Sequence, residues 1–253
     1  MKRILACRGP LASAWLTTAA TNPLCQMSDD ECRTAVRIRL NLPLIDPSRL
    51  VPACPLCGRQ LDLADATLNT HLLSCKRAMH SKGAATAGHQ FVSNALLLLR
   101  HAGVSVTPEA SFLEHDRKTR PDLLIHGTRG ERLLTDHTVV NTSAPSWESM
   151  DIRNTLRSVA LRKRNKYEAM TKEQHATFVP MPLSIYGATT DDTMRLLTLQ
   201  SVTASEPSLQ LWVGGRMGFI TTLTAAVSVA IQKRNHVIAF NAMQLLGDTA
   251  PEF

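Results

Sequence analysis

The 253-residue sequence predicts an α/β fold with a small mixed sheet, preceded by a compact metal-binding module. Three observations carry this reading. From Gly83 onward the hydrophobic pattern runs helix, three strands, helix, strand and then helices. Before that point stand Cys54, Cys57, His71 and Cys75 at finger-like spacing. Apolar residues make up 44% and charged residues 19%, a balance that suits a packed core and excludes a disordered or coiled-coil chain. Aromatics contribute only 4%, so Leu, Val, Ile and Ala must build that core.

Each element has a local reason. Ser28-Asp29-Asp30-Glu31 is a capping box, which starts a helix running to about Leu40. Residues 41–55 carry Pro43, Pro47, Pro52 and Pro55 and read as a linker. Ala84 to His101 reads as a helix with Phe91, Ala95, Leu98 and Leu99 inward and Gly103 closing it. Val104 to Pro108 alternates like a strand, and Leu123 to Ile125 and Leu133 to Val140 are two more. Ser149 to Lys172 is a long helix, Phe178 to Tyr186 a strand, Thr190 to Leu199 a helix, and Met217 to Leu246 one or two helices. The resulting division is a helical N-terminal segment (1–50), a zinc module (51–82) and an α/β domain (83–253).

Lys plus Arg number 28 against 21 Asp plus Glu, for a net charge of +7. That balance favours a polyanionic partner. The most apolar long stretch, Gly218 to Ile231, is too short and too polar to span a bilayer, so no membrane role is expected. Six cysteines are spread too thinly for a disulfide framework, which points to a reducing compartment. Residues 1–20 hold Lys2, Arg3 and Arg8 without an acid, a composition that also suits a mitochondrial presequence.

Two thiolates two residues apart, Cys54 and Cys57, can grip one ion from a tight knuckle that Gly58 helps to turn. His71 and Cys75, four apart on a helix, present donors from one face and complete a zinc tetrahedron. His80 is an alternative fourth ligand or a bystander. A closed four-ligand site is structural and not catalytic.

The hairpin around Gly127-Thr-Arg-Gly130 is the most informative stretch. If Thr128-Arg129-Gly130 is a three-residue loop with Gly130 left-handed, Asp122 falls directly opposite Asp136. Opposed like charges destabilise a hairpin unless a divalent cation such as Mg²⁺ (or Mn²⁺) sits between them; in another register both acids are simply solvated. In the next helix Ile152, Leu156, Val159, Lys163, Tyr167 and Met170 form a 3.6-residue stripe, which turns Lys163 toward the core. Lys166 lies close enough to reach inward too. Arg120, Arg153, Arg157, Arg162, Arg164 and Tyr167 form the expected nucleic-acid contact set. Two acids and an inward lysine describe a metal-assisted phosphodiester hydrolase, with Asp122 and Asp136 on the metal and Lys163 or Lys166 at the water or phosphate. Glu109 and Glu114 are weaker candidates for a third acid. His137 is expected to point off the metal face as a packing or polar contact.

These residues, together with the Cys-Cys-His-Cys module, Arg-Pro-Asp122, the Asp136-His-Thr-Val-Val-Asn-Thr-Ser-Ala-Pro segment, Lys163 and Lys166-Tyr167, resemble the restriction-like endonuclease region of site-specific non-LTR retrotransposon polyproteins, notably those inserting into spliced-leader genes. The resemblance implies the PD-(D/E)xK superfamily core, αβββαβ, for residues 83–253. It implies a nuclease that nicks double-stranded DNA to prime reverse transcription, in the nucleus, with element RNA and a reverse transcriptase domain elsewhere in a longer polyprotein. Under it the basic N-terminus is an internal piece of that polyprotein. Two departures stand out: Thr138 occupies the superfamily's usual lysine position, so the lysine must come from the following helix, and Gly88-His89-Gln90 only loosely echoes the branch's Arg/Lys-His-Asn motif. A catalytically degenerate, zinc-containing nucleic-acid-binding remnant is the alternative.

Overall fold

The structure, a computed structural model, describes residues 2–18, 21–45, 53–54, 57–61, 67–77, 83–108, 120–127, 130–200 and 202–245. Part of the proline-rich linker, His80, Glu109, Glu114, Leu246 and the loop residues Thr128 and Arg129 lie outside them. Short helices α1 (Lys2–Ala6) and α2 (Ala14–Thr17) open the chain. Helix α3 (Asp29–Leu40) starts at the expected capping box: Ser28 Oγ accepts from the Glu31 amide, and Glu31 accepts from the Ser28 amide at 2.8 Å. It ends at Asn41, whose φ of 60° is a left-handed stop.

Among the described residues the central layer is a four-stranded sheet in the order β1 (Val106–Pro108), β2 (Leu123–His126), β3 (Arg132–Val140), β4 (Ala176–Ser184). The first two pairings are antiparallel and the third is parallel. Helix α4 (Thr67–Leu72) belongs to the cysteine–histidine module. Helix α5 (Ala84–Leu96) precedes the sheet, and its continuation closes as a 3₁₀ turn at Gly103 (φ 74°). The Val104 amide is used by that turn, so β1 begins two residues later than the alternation suggests. Helix α6 (Ile152–Glu173), capped by Asp151, makes the crossover that a parallel β3–β4 pair requires. Helices α7 (Asp191–Leu197), α8 (Glu206–Gln210) and α9 (Gly215–Leu245) follow, the last as one continuous helix. The short α1, α2 and α8 give no clear signal in the sequence.

Among the described residues β4 is an edge strand, which is why it tolerates Pro180 and Pro182 opposite Asp136 and Thr138. The two faces of the sheet are covered differently. On one, Leu124 and Leu134 meet Tyr167 and Met170 of α6. On the other, Leu123, Ile125 and Leu133 meet Val92 and Leu96 of α5 and Phe219 and Leu223 of α9. Alternation along β3 therefore sends Asp136 toward α6 and His137 toward α5. The described chain is thus a helix–sheet–helix sandwich.

The α6-side cluster is small, so single truncations in it are costly. Leu134→Ala, at a fully buried position, is expected to cost about 2–5 kcal/mol in urea denaturation. Leu161→Ala, on the exposed face of α6, should stay within about 0.5 kcal/mol of the parent. Equal effects would mean that α6 does not pack as described.

Candidate functional site

The β2–β3 hairpin has the register that sets the two acid positions opposite each other. Leu123 pairs with Thr135 and His126 with Arg132, and Gly130 holds φ 75°. One step beyond the ladder Asp122 stands beside Asp136. Each carboxylate nevertheless has its own partners.

Asp136 is buried and faces α6. Lys163 Nζ pairs with its Oδ1, and the Tyr167 hydroxyl approaches its Oδ2. That hydroxyl also lies 2.8 Å from the Arg120 carbonyl oxygen, so it can donate to one of the two at a time. Lys166 Nζ donates to the same hydroxyl at 3.2 Å and sits over the Tyr167 ring. Burial and the Asp136 carboxylate push the Tyr167 hydroxyl well above its ordinary pKa, so it remains a donor. Both candidate lysines thus converge on Asp136, Lys163 directly and Lys166 through Tyr167. Tyr167, expected at the nucleic-acid surface, is completely buried; it cannot touch DNA because it is the donor that Asp136 needs inside.

Asp122 turns the other way. Its Oδ2 accepts from the His137 amide at 2.7 Å, and the same oxygen lies 2.7 Å from His137 Nδ1. His89 Nε2 on α5 is 3.2 Å from Oδ1. Burial alone would raise the Asp122 pKa, but the two histidines outweigh it and hold the carboxyl far below its usual range. Hydrogen bonding to Asp122 raises the pKa of His89, which also feels Asp136 and Lys163, so the two acid clusters are electrostatic neighbours. His89, Asp122 and His137 bring three donor atoms within 4.8 Å of one another; Asp136 is not among them. His137 does lie across the sheet from Asp136, yet it engages Asp122, a role that strand alternation alone does not reveal. His89 is placed by Gly88, where a Cβ would stand 2.6 Å from Arg234 Cγ of α9.

The arginines divide by task. Arg153, Arg157 and Arg164 line an open cleft of about 750 Å³ with Arg8, Asp191 and Asp192. Arg164 pairs with Asp192 at 2.6 Å. Arg162 stacks on Trp147, 4.8 Å from the ring centre, and the Arg120 residue is exposed.

In the module the donor atoms of Cys54, Cys57, His71 and Cys75 all lie within 4.8 Å of one another, so the group can hold a metal ion. Gly58, at φ 72°, donates its amide to the Cys54 carbonyl (2.8 Å) and shapes the knuckle. His71 lies in the last turn of α4, which ends at Leu72, so Cys75 stands just beyond the helix and not on it as the spacing suggested; its amide still returns to the His71 carbonyl at 2.7 Å. Burial, then the Arg59 charge, lowers the His71 pKa and favours the neutral ring that metals bind. Slight burial opposes ionisation of Cys57, but hydrogen bonds from the Arg59 backbone and the Cys54 and Cys75 thiols prevail and lower its pKa. Asn69 ties the module to the body by accepting from the Leu44 amide (3.2 Å) and donating to the Leu42 carbonyl (2.7 Å).

Comparison of the sequence with models of known protein families and with curated proteins gives no match.

The two lysines should separate in a stability measurement. Lys163→Ala leaves a buried carboxylate without its cation and is expected to cost about 1–3 kcal/mol in chemical denaturation. Lys166→Ala, at an exposed residue, should cost no more than about 1 kcal/mol. The reverse order would show that Lys163 is not the partner of Asp136 in solution.

Proposed function

We propose that the chain is the metal-dependent DNA endonuclease region of a site-specific non-LTR retrotransposon, nicking its target to leave a 3′ hydroxyl for reverse transcription. The observation that carries this reading is the juxtaposition of Asp122 and Asp136 across the hairpin, with Lys163 and Lys166 converging on the second acid. The helix–three strands–helix–strand order agrees with the αβββαβ core of that resemblance and supports the restriction-like reading.

A divalent ion, Mg²⁺ or Mn²⁺, would be held by Asp122 and Asp136 only once the Asp122 carboxylate swings from His89 and His137 toward the α6 side; each acid keeps lone pairs beyond those used by its protein partners. When bound, such an ion lowers the pKa of water and offsets charge on the phosphate. Lys163 would orient the attacking water or steady the scissile phosphate from the α6 side. Lys166 and Tyr167 hold the Asp136 carboxylate in place for that role. The exposed Arg153 and Arg157 would carry the DNA backbone along α6. In the module, zinc bound by Cys54, Cys57, His71 and Cys75 would be structural, because four protein donors leave no open position.

A plasmid-nicking assay tests the reading. The parent protein should nick supercoiled DNA with Mg²⁺ or Mn²⁺ and not without; Asp136→Ala should abolish nicking yet still bind duplex DNA. Binding that persists while the parent never nicks would overturn the nuclease assignment in favour of a degenerate binding remnant. Affinity should also fall by orders of magnitude between about 50 and 200 mM salt if several phosphates are contacted. Separately, purified protein should carry about one equivalent of zinc. Cys57→Ser should lose that equivalent, and a chain that keeps its melting temperature after chelation would exclude a structural metal.

A further inference from the structure

His137 Nε2 lies 3.2 Å from the His89 carbonyl oxygen. A carbonyl only accepts, so Nε2 must carry the hydrogen. That assignment leaves Nδ1 as the lone-pair nitrogen of the neutral ring. Nδ1 is buried and stands 2.7 Å from a carboxylate oxygen, but no hydrogen bond is aligned on it. Two lone pairs so close together repel unless a proton on Nδ1 or a metal ion lies between or beside them. An outer nitrogen fixed by a backbone carbonyl is also the usual support of a metal-bound histidine. The second ring, His89, stacks on the first with centroids 4.0 Å apart and brings Nε2 to the other oxygen of Asp122.

We propose that His89, Asp122 and His137 form a binding site for a divalent transition ion of the zinc, cobalt and nickel class. The chemistry of the donors sets the class: two imidazoles and one carboxylate favour such ions over magnesium, which seeks oxygen. Donors around such an ion stand about 3.4 Å apart, given bonds of roughly 2.1 Å in a tetrahedron, so the 2.7 Å His137–Asp122 contact must open slightly while the wider separations, all within 4.8 Å, close. Three protein ligands leave a position open, and the 41% exposure of the His89 side chain leaves the site accessible from solvent. This site differs from the cysteine module in its ligands and in that open position. It shares Asp122 with the nuclease reading but stands without it.

Cobalt titration of the full chain, with the cysteine module first filled by zinc, tests the site in the absence of DNA. The expected result is one further equivalent of cobalt, seen as visible d–d absorption without the near-ultraviolet thiolate band that entry into the cysteine module would produce. His89→Ala, at a half-exposed residue whose loss should not disturb folding, is expected to weaken binding at least about tenfold, the loss typical of removing even an outer-shell partner. Asp122→Asn should do the same, and His126→Ala, outside the group, should not. Magnesium in large excess should fail to displace the cobalt. No second equivalent in the parent, or binding unchanged in His89→Ala, would overturn the proposal and leave an imidazolium–carboxylate pair only. Ready displacement by magnesium would overturn the assigned metal class. Because no cleavage is measured, a chain that binds cobalt but never nicks refutes the nuclease reading alone.

Discussion

A carboxylate shut inside a sheet persists only where its charge is met on the spot, and Asp136 imposes that requirement on the whole sandwich. It sits in an inner strand with only 6% of its side chain exposed. Lys163 and Tyr167, one helical turn apart on α6, supply the cation and the hydroxyl. Both groups can arrive only if this turn of α6 lies over β3. The parallel β3–β4 ladder, which α6 must span, holds it there. Taking one partner away from such a pair costs far more than the pair gains over a well-packed apolar alternative. The arrangement is therefore weak as a source of stability and strong as a specification of register.

Asp122 meets the same requirement by different means. It lies just beyond the ladder and fills the place where the next β2 carbonyl would accept the His137 amide. A side chain thus continues the sheet's hydrogen bonding by one step. Its remaining partners are imidazoles and not lysines, and they come from the other layer, because His137 faces α5 and His89 belongs to it.

Much of this was legible in the sequence because it depends on local rules. A hairpin closed by the Gly127–Glu131 pair with Gly130 left-handed fixes the register, and the apolar stripe of α6 turns Lys163 inward. The capping box at Ser28 and the spacing of Cys54, Cys57, His71 and Cys75 are likewise short-range signals. What the sequence hid depends on long-range packing. His89 reaches Asp122 only because α5 crosses the sheet with Gly88 pressed against Arg234, a residue far along the chain. Alternation correctly sends His137 away from Asp136, but it cannot show that Asp122 would bend toward the same side. Tyr167 fits the stripe and is basic-flanked, so its burial under Asp136 appears only when strand and helix are brought together.

The two faces of the sheet consequently present different chemistry at one edge of the hairpin. On the α6 side, Lys163 and Lys166 stand by Asp136, a setting suited to oxygen-rich anions such as phosphate. On the α5 side, His89 and His137 stand by Asp122, a setting suited to an ion that accepts nitrogen ligands. A metal drawn to the second side would place positive charge near, but not between, the two carboxylates. It would oppose the nearby Lys163 charge, and Asp136 would offset that opposition because it already holds the lysine. Separating the acids by partner type thus lets a cation and a lysine coexist at one hairpin edge, which two carboxylates sharing a single set of partners would not allow.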